Sequence, residues 1–113
     1  LNNEMEYFYT KDSHKDLKKL DNSQRKQVLK AIEKVSYNPL PSPDGYGKPL
    51  GNKGNNNLTN CFKIKLRGIG IRVVYNLVME NNIMRIIVIS VREDSLVYDI
   101  ASERVKEMAT TTE

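Results

Sequence analysis

The sequence predicts an α+β fold: a small antiparallel sheet of about four strands, mixed at its edge. An N-terminal helix hairpin is expected on one face, with a short helix at the C-terminus. Three observations predict it. Residues 61–91 hold three apolar or alternating runs separated by short turns, the period-2 pattern of strands. Residues 12–37 instead space their apolar side chains at helical intervals behind capping residues. Residues 98–108 return to helical composition after the last strand.

Met5 to Thr10 has strand composition and is long enough for one strand. Asp12 or Ser13 is the expected cap of a first helix that runs to about Leu20, with Leu17 and Leu20 as its contacts. Asp21 caps a second helix, and Gln24 stands at the reciprocal position of a capping box. Val28, Ala31, Ile32 and Val35 fall on one face of that helix, and Lys26, Lys30 and Lys34 on the other. Asn38-Pro39 stops it. Residues 38–60, rich in Pro, Gly and Asn, read as a long loop most mobile at Gly51–Asn57. Gly47-Lys48-Pro49-Leu50-Gly51 lacks the spacing of a phosphate-binding P-loop. Strands are expected at about Cys61–Leu66, Ile71–Val78 and Met84–Val91, with Glu80-Asn81-Asn82 as the second turn. Tyr98 to Met108 is expected as helix and 109–113 as a frayed tail.

At 113 residues the chain is expected to form one domain, 1–113. No apolar run approaches the roughly 18 residues of a membrane span, and no signal peptide is visible, so a cytoplasmic location is expected. Cys61 is the single cysteine and reads as a strand residue. With one His and scattered acids, no metal and no cofactor are expected, and His14 is expected to be exposed.

Charge is distributed unevenly. From Gly45 to Met79 there are six Lys or Arg and no Asp or Glu, although the whole chain is only +4, so the remainder sums to −2. Such a focus of positive charge suits a polyanion, most commonly a phosphate backbone. Register places it. Phe62, Ile64 and Leu66 must be buried together with Ile71, Val73, Tyr75 and Leu77. That sets Leu66 opposite Ile71, Lys65 opposite Arg72 and Lys63 opposite Val74, with Lys63, Lys65 and Arg72 on the face away from the helices. Like charges across strands repel by roughly a few tenths to one kcal/mol per pair, which an anionic ligand would remove. The competing reading is a solvated outer sheet face.

Three segments carry a family resemblance: Cys61-Phe62-Lys63-Ile64-Lys65-Leu66-Arg67, Gly70-Ile71-Arg72-Val73-Val74-Tyr75, and Val91-Arg92-Glu93-Asp94-Ser95-Leu96-Val97-Tyr98. With Leu17-Lys18-Lys19-Leu20, Asn38-Pro39 and Lys48-Pro49-Leu50 upstream, the chain resembles the RelE toxins of the RelE/ParE toxin–antitoxin superfamily. The resemblance spans about residues 6–106. It implies an endoribonuclease, an mRNA interferase that cuts the codon in the ribosomal A site through attack of a 2′-OH on the adjacent phosphate. Lys63 and Lys65 match the family's strand lysines, which hold phosphate and help deprotonate the 2′-OH. Arg72 matches the arginine that stabilises the pentavalent phosphate, and Arg92 the one associated with protonating the leaving oxygen. Tyr98 matches the tyrosine that stacks on or orients the nucleotide. Lys48, Lys53 and Arg67 are the expected RNA or ribosome contacts. The structural alternatives are an ion pair of Arg92 with Glu93, Asp94 or Asp99, and packing of Tyr98 on the sheet. Ser90 stands where the family has a glycine. The implied partners are a cognate antitoxin and mRNA on the ribosome with its rRNA. The other function compatible with this fold is a ParE-like gyrase inhibitor that cuts no RNA.

Overall fold

The computed structural model describes residues 3–53 and 56–111, without the side chains of Lys53 and 109–111. The elements run β1 (Glu6–Tyr9), α1 (Lys11–Lys18), α2 (Asn22–Ser36), β2 (Lys48–Lys53), β3 (Asn56–Leu66), β4 (Ile71–Val78), β5 (Ile83–Ser90) and α3 (Asp94–Thr111). The strands form one sheet in the order β1-β5-β4-β3-β2. All neighbours are antiparallel except β1 and β5, whose parallel pairing makes the mixed edge.

Local chemistry explains the helix hairpin. Asp21 accepts from the Gln24 backbone N–H at 2.8 Å while the Gln24 side chain accepts from the Asp21 N–H at 3.1 Å, so both members of the capping box are in place. Arg25 in α2 donates to the carbonyls of Leu17 and Leu20, which satisfies the end of α1 and holds the link short. The first cap differs from expectation. Thr10, not Asp12 or Ser13, accepts from the Ser13 N–H, and its hydroxyl also donates to the Ile86 carbonyl. A residue that caps the helix and ties it to β5 serves better than one further in.

Residues 38–60 are not one long loop. β2 pairs with an extended β3 that begins at Asn56, raising the strand number from about four to five. Leu50 and Leu58 are buried and anchor this hairpin. A bulge between Pro49 and Gly51, with Gly51 at φ +61°, breaks the alternation that would have revealed a strand. Of the segment expected to be most mobile, residues 54 and 55 lie outside the described ones. α3 also starts earlier than Tyr98 and continues through Thr111; of the expected frayed tail, residues 112 and 113 lie outside the described residues.

The sheet carries apolar side chains on both faces. Phe62, Ile71, Val73, Tyr75, Met84 and Ile86 pack beneath α1 and α2 with Leu17, Val28 and Ile32. Leu58, Cys61, Val74 and Val88 pack with Val97, Tyr98 and Ala101 of α3. The face expected to lie open is therefore partly covered, because its apolar residues need a cover as much as those beneath the hairpin do. Burial also pushes the Cys61 thiol up to about 11. No helix among the described residues is long and apolar enough to cross a membrane.

Candidate active site

The β3–β4 register is the one the apolar residues require. Leu66 faces Ile71, Lys65 faces Arg72 and Lys63 faces Val74. Gly70 at φ +65° closes the connection after a 3-10 turn at Arg67–Ile69. Lys48 pairs with Lys63 across β2, so Lys48, Lys63, Lys65 and Arg72 lie on the α3 side of the sheet.

A second bulge brings the C-terminal segment to the same face. Between Val74 and Tyr75 of β4, strand β5 carries an extra residue: Val74 pairs with Val88 but Tyr75 with Ile86. Met84, Ile86 and Ile89 therefore pack on the hairpin side, while Ile87 and Val88 both join the core under α3. Strict alternation from Ile86 would have sent Ser90 to the hairpin side. The bulge instead sets Ser90 opposite Arg72, and the segment leading into α3 leaves the sheet beside the cations.

That segment supplies an acid. Asp94, the first residue of α3, places Oδ2 2.9 Å from Lys65 Nζ and Oδ1 in contact with Arg72 Nε. Arg72 Nη1 donates to the Arg92 carbonyl at 2.8 Å, so one guanidinium organises the turn. Hydrogen bonding to Lys65, joined by Arg72 and only partly opposed by burial, holds the Asp94 carboxyl below its usual range. Asp99 hydrogen-bonds to Asn56 instead. Among the described residues the Arg92 side chain has neither Asp94 nor Asp99 as an ion-pair partner; it lies exposed beside the cluster.

Tyr98 lies one turn along α3, buried in the second core with its hydroxyl interacting with Asp94. Its phenol is raised from the ordinary value by burial first and by Asp94 second, with Lys65 and Arg72 opposing. The packing alternative thus describes its position, at the border of the cation cluster. A shallow cavity of about 220 Å³, lined by Lys65, Leu66, Arg67, Gly70, Ile71 and Arg72, opens at the β3–β4 turn. Arg67 is exposed in its lining, Lys48 is exposed on β2, and the Lys53 side chain lies outside the described residues. His14 is exposed.

Two polar residues outside the expected site matter to its frame. Among the described residues no strand covers the outer edge of β5 beyond Tyr9. There Asp16 accepts from the Ile89 N–H at 3.0 Å, and Arg104 of α3 donates to the Ile87 carbonyl at 2.9 Å. Arg104 also grips Asp16 through two bonds of 2.7 and 3.2 Å. Ser13, Asp16, Leu17 and Leu20 are all buried at i, i+3, i+4 and i+7, and that spacing is the signal that would have turned Asp16 inward.

No family model matches the chain. A putative RelE-like toxin protein of Escherichia coli is 34% identical over 99 residues, 87% of this chain and 94% of that protein. The chain belongs to the RelE family of toxins. The mRNA interferase toxin RelE of E. coli strain K12 is 33% identical over 103 residues, 89% of this chain and 99% of its own length. An arginine-substituted mutant of E. coli toxin RelE, solved in the free state, matches with TM-score 0.69 at 25% identity, covering 90% of this chain and 98% of its own. The same mutant bound to a peptide of antitoxin RelB matches with TM-score 0.64 at 27% identity, covering 86% and 93%. The RelE relatives favour the RNA-cutting function over gyrase inhibition.

Proposed function

We propose that this protein is the toxin of a type II toxin–antitoxin system, an endoribonuclease that cuts mRNA in the ribosomal A site. The observation that carries the residue assignment is the convergence of Lys65 and Arg72, from two strands, on the two oxygens of one carboxylate. Two cations that bracket a carboxylate can bracket a phosphodiester. Phosphoryl transfer needs positioning and positive charge around phosphorus more than a strong base.

In the proposed reaction the 2′-oxygen attacks the adjacent phosphorus and the bond to the 5′-oxygen of the next nucleotide breaks. A 2′,3′-cyclic phosphate and a 5′-hydroxyl result. Lys63 and Lys65 hold the phosphate and assist removal of the 2′-hydroxyl proton. Arg72 stabilises charge on the pentavalent phosphorus. Arg92, exposed and tied to Arg72 through its carbonyl, assists protonation of the leaving oxygen. Lys48, Lys53 and Arg67 supply backbone contacts to RNA or ribosome. Tyr98 orients the nucleotide only if α3 shifts, because its ring is packed in the core.

The proposed partner is a cognate antitoxin related to RelB. Its expected action is to mask the basic face or to move α3, since that helix shares the face with the cations. Ribosomes programmed with a defined mRNA and analysed by primer extension test the proposal. Cuts inside the A-site codon that vanish with Arg72→Ala, and in the presence of saturating antitoxin, are the expected result. DNA-damage signalling without mRNA cuts would instead point to gyrase.

A further inference from the structure

Asp94 occupies a particular place in this cluster. Its two oxygens are divided between Lys65 and Arg72, and the second arm of Arg72 is held by the carbonyl of Arg92 two residues earlier. The same short segment therefore engages two of the three cations, Lys65 and Arg72 but not Lys63, that the proposed reaction places on the phosphate. A carboxylate shared in this way makes the demands of two non-bridging phosphate oxygens: negative charge and two acceptors set between the cations. It also removes the cross-strand repulsion of Lys65 and Arg72 that a phosphate would otherwise relieve.

Resting on the nuclease reading above, we propose that Asp94 is an intramolecular surrogate for the scissile phosphate, an autoinhibitory contact that single-stranded RNA must displace. Four features support displacement over a catalytic role. Asp94 lies on the donors themselves, and a phosphate placed there would put two anions side by side. Its side chain and both partners are partly exposed, so the contact exchanges with solvent and with competing anions. Asp94 opens α3 while Val97 and Ala101 are buried further along it, so a change of the Asp94 side-chain rotamer alone releases Lys65, Arg72 and the Tyr98 hydroxyl without unpacking the helix. As a general base it would be poor, because its proton affinity is lowered by the cations it touches.

The device has a functional consequence. RNA free in solution must compete with a carboxylate tethered to the site, whose effective concentration is on the order of millimolar or higher. An mRNA fixed in a ribosome is itself held at high effective concentration and prevails. Asp94 thus helps to keep the toxin silent away from its target.

The test uses isolated toxin and a single-stranded 2′-O-methyl RNA, which cannot be cleaved, so the result does not depend on whether the protein proves to be a nuclease. Asp94→Asn keeps the shape and is expected to bind this RNA about tenfold more tightly at fixed ionic strength, about 1.4 kcal/mol. Asp94→Glu, which keeps the charge, and Glu93→Gln, which removes a neighbouring exposed one, are each expected to change affinity less than about threefold. Adding Arg72→Ala to Asp94→Asn should abolish the gain. Unchanged or weaker binding by a folded Asp94→Asn protein would overturn the proposal, as would an equal gain from Glu93→Gln. Slower cleavage on programmed ribosomes by Asp94→Asn would place Asp94 in the chemistry and likewise overturn it. A wild-type protein that cuts no mRNA on ribosomes would instead remove the nuclease reading and leave the binding result standing.

Discussion

Among the aspartates that join α3 to the rest of the molecule, Asp16 and Asp94 do so in opposite ways. Asp16 is nine-tenths buried and meets Arg104 and the Ile89 N–H. Asp94 is about one-third exposed and meets Lys65 and Arg72. At the first, the arginine is engaged elsewhere too: Arg104 also closes the edge of β5 through the Ile87 carbonyl. Removing either member would leave buried groups without partners, so the contact is fixed. At the second, water can replace each partner and an anion can replace the carboxylate. Burial separates a structural ion pair from one that a substrate can exchange.

Substitutions can break or sharpen this contrast. The largest effect is expected at the exchangeable cluster but in chemistry rather than stability. Arg72→Ala should reduce mRNA cleavage on ribosomes by about 100- to 1000-fold, as loss of a donor to a developing oxyanion does. Retention of near-normal cleavage would show that the cluster is not the active site.

At the fixed pair, Asp16→Ala should destabilise the fold by about 3 kcal/mol in urea denaturation, since it leaves the Ile89 amide unsatisfied and takes from Arg104 its buried carboxylate. A loss below about 1 kcal/mol would mean that water repairs the edge of β5 and would erase the distinction. Arg104→Lys keeps the charge but not the paired geometry that holds Asp16 and the Ile87 carbonyl together, and should cost about 1 kcal/mol.

The smallest stability change belongs to Asp94→Asn, under about 1 kcal/mol, because exposed pairs contribute little. Its signature is in pH dependence. The folded-state carboxyl is held below the ordinary 3.8, so its contribution is present above that value and is lost as pH falls through the lowered one. The variant should therefore show a shallower loss of stability on acidification than wild type. Identical acid profiles would deny the ion pairs at Asp94.

Much of the frame was legible because it depends on local pattern. The capping box at Asp21, the turn at Gly70 and the pairing of Lys65 with Arg72 each follow from residues a few positions apart in sequence or across one tight turn. β2 was missed for a local reason as well: its bulge at Gly51 and its polar edge residues hide a period-2 pattern, leaving Leu50 and Leu58 as its apolar anchors. Of the candidate site, the register that sets Lys65 opposite Arg72 was legible in the β3–β4 hairpin. At its C-terminal end Glu93, Asp94 and Asp99 were weighed as partners of Arg92, whereas Asp94 contacts Lys65 and Arg72 and Asp99 accepts from Asn56.

The amino-acid sequence by itself determined the family, the α+β class, the helix hairpin and a row of cations in known register. Those properties are written in composition, short-range periodicity and the requirement to bury one set of apolar residues. Tertiary structure decided which acid meets those cations. The run Ile86-Ile87-Val88-Ile89 is apolar throughout and fits either face, so only packing against two helical layers could place the β5 bulge. That bulge and the docking of α3 carry Asp94 across 22 positions of sequence to Arg72. A contact of that range depends on how elements pack, which no local pattern encodes.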